Sequence, residues 1–289
     1  MAKPAVSGAR PKRRIWVFLG VAGVAVGGLL AWFATCFPRG GGPPLELSAA
    51  GRPAAEAARG GFDGAEFVYW RDGAPLRGPL TCDLLSRLLR EALAPARGSG
   101  FVWQVCDPTP RPGILAWQAA DFAIGGVPVS RAAFYYERPE VDWPALAGPR
   151  RLTVLAAKGA TAEFRVRNDA LAAFLETQNR DLRNIHIETT AEQFGVSALA
   201  CGWFGLKIPV AAAGRFALEG RRLLFHPDAA KVWRFNAPKF LLRRLDRWLN
   251  PVAEIDLSAW ALEPVAVRLL PAPTDAVAIN AQSGATVGR

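Results

Sequence analysis

Residues 15–37 read IWVFLGVAGVAVGGLLAWFATCF, a stretch without a single charged side chain. As a helix it would be about 35 Å long at about 1.5 Å per residue, enough to cross the hydrocarbon core of a bilayer. Trp16, Trp32 and Phe33 stand near its ends, where interfacial aromatics belong, and the GVAVGG run offers small residues at which another helix packs or the chain simply flexes. Lys12, Arg13 and Arg14 abut its start, whereas Arg39 is the lone cation just after its end. The positive-inside rule therefore predicts a single-pass signal anchor in the cytoplasmic membrane, with residues 1–14 as a basic cytoplasmic tail and the rest exported to the periplasm or an equivalent extracytoplasmic space. Two alternatives share the basic start. A cleaved signal peptide has a shorter apolar run and a small-x-small site, and here Trp32 stands two positions before Ala34. Acylation of Cys36 makes the chain a lipoprotein, but FAT precedes that cysteine without the usual Leu.

Half of the 289 residues are hydrophobic (51%) and only 21% are charged, which excludes disorder of the whole chain. The formal charge of +10 is concentrated in the tail, because Lys3, Arg10, Lys12, Arg13 and Arg14 fall there without an acid. The remainder is only mildly cationic, so no nucleic-acid partner is expected. Residues 38–64 are rich in Gly, Pro and Ala with almost no large apolar side chain and are predicted to be a flexible linker. Residues 281–289 are read as a disordered tail, leaving 65–280 as the exported domain.

Within that domain the 3.6-residue period predicts three amphipathic helices. The first, 80–94, carries Leu80, Leu84, Leu85, Leu88 and Leu89 on one face and is stopped by Pro95. The second, 168–178, is capped by Asn168, and Leu171, Phe174 and Leu175 form its apolar side. The third, opened by Pro238 and ended by Asn250 and Pro251, aligns Leu241, Leu245, Trp248 and Leu249. Strands are predicted over 115–124, 131–138, 151–166, 182–190, 195–204, 207–219, 222–225, 265–270 and 276–280, several with clean alternation, as in Ile185 and Ile187 against His186 and Glu188. Glu219 to Arg221 reads as a hairpin tip. Turns this short between successive strands require antiparallel pairing, so the class is α+β.

The motifs with the strongest chemical mechanisms are missing: there is no GxSxG, phosphate-cradling Gly loop, HExxH or CxxC. No catalytic residue is assigned, and neither a cofactor nor a metal is expected from two histidines and four scattered cysteines. His186 and His226 read as solvated or capped histidines, and Glu254 with Asp256 as a surface pair. In an oxidising exterior Cys82 and Cys106 bridge the first helix to the following strand; otherwise they stay reduced and buried alongside Cys201. Eight tryptophans lie outside the anchor, at positions 70, 103, 117, 143, 203, 233, 248 and 260. Such side chains suit a boundary that is oily on one side and wet on the other. PKFLLRRLDRWLN, residues 238–250, is a basic amphipathic helix that either lies on anionic headgroups or covers a core with a solvated cationic face.

The order of segments from NDALAAFLETQ through GRFALEGRRLLFHPDAAKVW and PKFLLRRLDRWLNPVAEIDLSAWALEPVAVRLL to AVAINA resembles the LmeA-like phospholipid-binding family of bacterial envelopes. Asp169, Phe174 and Leu175 approximate that family's D-L-x-x-[FY]-L helix start, Gly214, Phe216 and Leu218 its v-x-G-x-[FL]-x-[LV] strand, Leu223, Phe225 and Pro227 its l-x-[FL]-x-P segment, and Leu249, Asn250 and Pro251 its L-N-P helix end. The similarity runs over about 115–280, departs at Ala170 where the family has Leu, and leaves the 80–94 helix unaligned. It implies a curved antiparallel sheet packed around amphipathic helices, like tubular lipid-binding modules, with acyl chains in an apolar interior. On that reading Leu171, Phe174, Leu175, Ile185, Ile187, Val210, Phe216, Leu218, Leu241, Leu245 and Trp248 form the lipid-binding wall, and Arg243, Arg244 and Arg247 the headgroup site. The expected partners are phospholipid or another membrane lipid and the bilayer surface, with protein partners unassigned. The expected function is a membrane-anchored envelope protein that binds or shuttles lipid without catalysis. The alternatives are a scaffold subunit of an envelope assembly with a packed interior, and an envelope lipid or glycan hydrolase or transferase.

Overall fold

The computed structural model describes residues 45–48, 60–93, 100–178, 182–201 and 207–283. In chain order the elements begin with β1 (Leu45–Ser48), β2 (Gly61–Asp63), β3 (Glu66–Arg71), β4 (Ala74–Gly78), α1 (Cys82–Leu93), β5 (Phe101–Val105), β6 (Ile114–Ile124) and β7 (Val127–Glu137). They continue with β8 (Glu140–Val141), α2 (Trp143–Ala147), β9 (Val154–Ala156), β10 (Gly159–Arg167), α3 (Asn168–Gln178), β11 (Leu182–Thr189), β12 (Phe194–Cys201) and β13 (Lys207–Glu219). The last are β14 (Arg222–Val232), β15 (Phe235–Asn236), α4 (Lys239–Leu249), β16 (Ala253–Asp256), a 3-10 turn (Ser258–Trp260), β17 (Glu263–Leu270) and β18 (Ala276–Gln282). The class is α+β, with strand pairing antiparallel except where β1 joins β16 in parallel.

Two sheets carry the fold. One has the order β17-β18-β10-β7-β6-β5, and the other β1-β16-β14-β13-β12-β11 with β15 added to β14; a β2-β3-β4 meander and a β8-β9 pair complete the set. The six-stranded sheet lies against α1, whose Leu84, Leu85, Leu88 and Leu89 are buried as the three- and four-residue spacing predicts, and Leu93 is buried with them. Thr81 Oγ1 accepts from the Leu84 amide at 3.2 Å and caps this helix. A disulfide joins Cys82 to Cys106 (Cα–Cα 6.1 Å), fixing the start of α1 to the end of β5. Beside it Trp103 Nε1 donates to Ser86 Oγ at 2.7 Å.

The core of this half is aromatic. Trp117 stacks on Phe134 (4.9 Å between ring centroids) and Tyr136 (5.4 Å), while Trp260 meets Phe134 edge-on at 5.5 Å. Tyr136 Oη donates to the Trp260 carbonyl at 3.0 Å, and burial pushes its hydroxyl far above its ordinary pKa, so it stays a donor. Of the tryptophans expected at a wet boundary, Trp117, Trp143 and Trp260 are instead buried core residues, because an indole brings a large apolar area to a core. The indole N–H groups of Trp143 and Trp260 reach the carbonyls of Pro110 and Leu152, whereas the buried Trp117 Nε1 has no hydrogen-bond partner among the described residues.

The seven-stranded sheet obeys the alternation read from sequence. Its register places Ile187, Val196, Ala212 and Ala230 side by side on one face, and Thr189 opposite Phe194 on the same face. A bulge between Ala213 and Gly214 resets β13 against β14. Only glycine fits there: a Cβ on residue 214 would lie 2.1 Å from the His226 carbonyl oxygen.

The structure changes the expected boundaries. Residues 38–64 were expected to be linker throughout, yet Leu45–Ser48 forms a ladder with Ala253–Asp256 and Gly61–Asp63 opens the small meander. A four-residue strand leaves little signal in a Gly- and Pro-rich window, and its partner lies some two hundred positions along the chain. At the other end Ala281 and Gln282, expected in the tail, pair within β18 against Ala162 and Thr161. The expected strand over 151–166 is two, β9 and β10, and 222–225 extends through Val232. Residues 15–37 lie outside the described residues, and no described helix is long and apolar enough to cross a membrane.

Candidate functional site

Helix α3 links the two halves, following β10 directly and packing on β11. Asn168, expected to cap it, is buried, and its side chain is turned elsewhere: Nδ2 donates to Thr189 Oγ1 at 3.1 Å. Thr189 Oγ1 in turn donates to the Leu270 carbonyl at 2.9 Å, so one polar chain ties α3, β11 and β17 together. The next residue, Asp169, is held below the usual carboxylate range by its hydrogen bond to Arg167.

Around this joint the structure gathers most of the residues predicted to form a lipid wall. Ile185 and Ile187 are buried with Ala172, Phe194, Phe225 and Val277, and Leu171, Leu175, Val210 and Phe216 pack against them. Phe174 and Leu218 pack against the larger buried cluster, which holds the aromatic core and also Leu223, Ala253 and Ile255 of the seven-stranded sheet. These side chains contact one another, and the void next to Trp117, Leu85 and Leu152 is only about 10 Å³, at the lower limit of what a water needs. The side chains of Leu241, Leu245, Trp248 and Arg244 lie outside the described residues. Arg243 and Arg247 are exposed on α4.

Open space lies elsewhere, where β13 and β17 pack together across the two sheets. A cleft of about 380 Å³ is lined by the apolar residues Ala191, Phe216, Val267, Leu269 and Leu270 and by the charged residues Glu192, Arg215 and Arg268. Its volume falls in the range of small-molecule sites, roughly 300–1,000 Å³. Arg215 is bound to Asp228 by two hydrogen bonds of 3.2 and 3.3 Å, whereas Arg268 has no charged partner among the described residues. Only Phe216 belongs both to this cleft and to the predicted wall, and neither Arg243 nor Arg247 lines it. Arg215 and Arg268 are the functional candidates that sequence reasoning missed. Each is the polar member of an alternating strand, GRF and AVRLL, and only sheet packing brings the two strands together.

Helix α4 is pinned to β14 by a side chain that the sequence presented as a stop signal. Asn250 Oδ1 accepts from the Phe225 amide at 2.6 Å, while its Nδ2 donates to the Phe225 carbonyl at 3.0 Å and to Asp246 Oδ1 at 2.9 Å. The amide thus imitates a neighbouring strand. His226 Nδ1 lies 3.0 Å from the same Asp246 oxygen, and His186 Nε2 lies 3.2 Å from Glu188 Oε1; both histidines are exposed. Glu254 and Asp256 face arginines, Arg222 at 3.8 Å and Arg221 at 3.3 Å, as surface ion pairs. Among the described residues no three His, Cys, Asp or Glu side chains come together as a metal site would need.

Comparison with protein-family models, curated proteins and solved structures finds no match to this chain.

Proposed function

We propose that this is a membrane-tethered envelope protein whose exported domain binds or shuttles a phospholipid or a related anionic amphiphile, without bond chemistry. The observation that carries the proposal is the cleft at β13 and β17: its apolar lining residues would take acyl chain, and Arg268, which has no charged partner among the described residues, offers a cation to a phosphate. On this reading the two sheets act as one curved antiparallel surface around α3, and the guest enters at their junction rather than the packed centre. The Cys82–Cys106 bridge fits an oxidising exterior, and the uncharged stretch 15–37 behind three basic residues supplies the tether. Such a protein need not outcompete the bilayer. Burial of each CH₂ is worth about 0.8 kcal/mol in either place, so the cleft only has to match what the membrane already provides.

The test is lipid retention by the full chain. Delipidated protein exposed to mixed phospholipid vesicles is expected to carry about one lipid per chain in native mass spectrometry, and Arg268→Glu to lower that occupancy about tenfold by reversing the charge that meets the phosphate. Wild-type protein that takes up no lipid overturns the proposal. A scaffold subunit is the second reading, favoured by the 10 Å³ void and by the mutual packing of the predicted wall residues. It predicts stoichiometric protein partners and no bound lipid in the same spectra.

A further inference from the structure

The two turns that bound β14 have the same geometry and opposite chemistry. Glu219 pairs with Arg222 and Val232 with Phe235, so each turn has two central residues. The first central residue has a positive φ in both, +59° at Gly220 and +56° at Trp233. Turns of this kind favour glycine at that position, since a side chain there crowds the backbone. Gly220 follows the rule. Trp233 breaks it, and the strain is not repaid by burial, because 68% of the side chain is exposed.

Trp233 is not alone. Phe235 is 69% exposed and Phe240 61%, and these are the three most exposed aromatic side chains among the described residues. All three fall between positions 233 and 240, at the hairpin and the first turn of α4. Exposed Lys231, Arg234, Lys239 and Arg243 are interleaved with them, and none has a charged partner among the described residues. No acid occurs from 229 to 245, and the acids that flank this stretch are engaged, Asp228 with Arg215 and Asp246 with His226 and Asn250.

We infer that the β14–β15 hairpin and the start of α4 form a docking surface for an anionic phospholipid bilayer. Aromatic rings at the tip would enter the headgroup region, while the surrounding ammonium and guanidinium groups reach lipid phosphates. Charge decides between occupants: the unbroken run of cations fits an anionic sheet of headgroups and repels a second copy of itself. None of these residues lines the cleft, so this inference stands apart from the lipid-retention reading and fails independently of it.

Hydrogen–deuterium exchange on the full chain in lipid nanodiscs tests it. In discs with about 30% phosphatidylglycerol, amides from 231 to 243 are expected to exchange at least about fivefold more slowly than in phosphatidylcholine discs. That protection should vanish in about 0.5 M salt, and also in a Lys231→Glu, Arg234→Glu, Lys239→Glu variant and in a Trp233→Ser, Phe235→Ser variant. Unchanged exchange in β6 and β7 shows that each variant remains folded. Equal exchange in the two discs, or protection that survives charge reversal, overturns the inference. So does protection in detergent that grows with protein concentration, which would assign the face to a second copy, or equal protection by soluble polyglutamate, which would assign it to an acidic protein.

Discussion

The two sheets of this domain solve different problems. In the six-stranded half Trp117, Phe134, Tyr136 and Trp260 stack in one core, the void beside Trp117 and Tyr136 is only about 10 Å³, and the Cys82–Cys106 bridge locks α1 over the sheet edge. In the seven-stranded half much of β13 remains only half-buried, and the 380 Å³ cleft opens at its border with β17. A smaller aromatic group, Phe194, Phe216 and Phe225, joins β12, β13 and β14 there, and polar side chains tie in the helices, Asn168 and Thr189 on one side and Asn250 on the other. On the proposed reading the six-stranded half supplies the stability that an open cleft in the other half needs.

Three changes would break or sharpen this contrast. Trp117→Ala should have the largest effect, about 4 kcal/mol of destabilisation in denaturant titration, because it removes a side chain that is 1% exposed from the centre of the aromatic stack. A loss under about 1 kcal/mol would mean that the six-stranded half is not the stabilising one. Replacing both Cys82 and Cys106 with Ala should cost about 3 kcal/mol, read as the difference from oxidised wild type. Adding dithiothreitol should bring wild type down to the variant, and a difference that persists under reduction would show that the side chains matter apart from the bond. Asn250→Ala should cost less, about 2 kcal/mol, since the Phe225 amide and carbonyl lose their partner at a site that is only half-buried. The decisive readout is local: amide exchange should quicken in α4 and β14 while β6 and β7 keep their protection. Uniform quickening would instead make the two halves one cooperative unit.

Two residues of the short sequence patterns have a physical role of their own in this structure. Gly214 stands at the bulge where any Cβ would strike the His226 carbonyl, and Asn250 is the clamp between α4 and β14. Both read in sequence only as a strand glycine and a helix stop, because each acts through backbone atoms of a distant strand. The periodic elements were legible: Leu84 to Leu93 for α1, and Ile185, Ile187 and Val210 for the buried face of the larger sheet. The strands β1 to β4 and β16 were not, being three to six residues long, too short for an alternation such as that of Leu45–Ser48 or Ala253–Asp256 to stand out from chance. Tryptophan was misleading as a class. Three of the described indoles are core, and only Trp233 is largely exposed, a difference that composition cannot express.

From its sequence alone this chain was bound to fold as α+β, to carry an uncharged stretch of membrane-spanning length, and to set its amphipathic helices where their apolar faces find cover. Those properties follow from local periodicity and from the transfer of apolar side chains out of water, which depend on neighbours a few residues away. The tertiary structure alone decided that Arg215 and Arg268 would share a cleft, that the described residues of the predicted wall would pack into the buried clusters, and that Trp233 would stand out on a strained turn. Each of these depends on which strands lie side by side, and the free energy of that choice is spread over contacts between residues far apart in the chain.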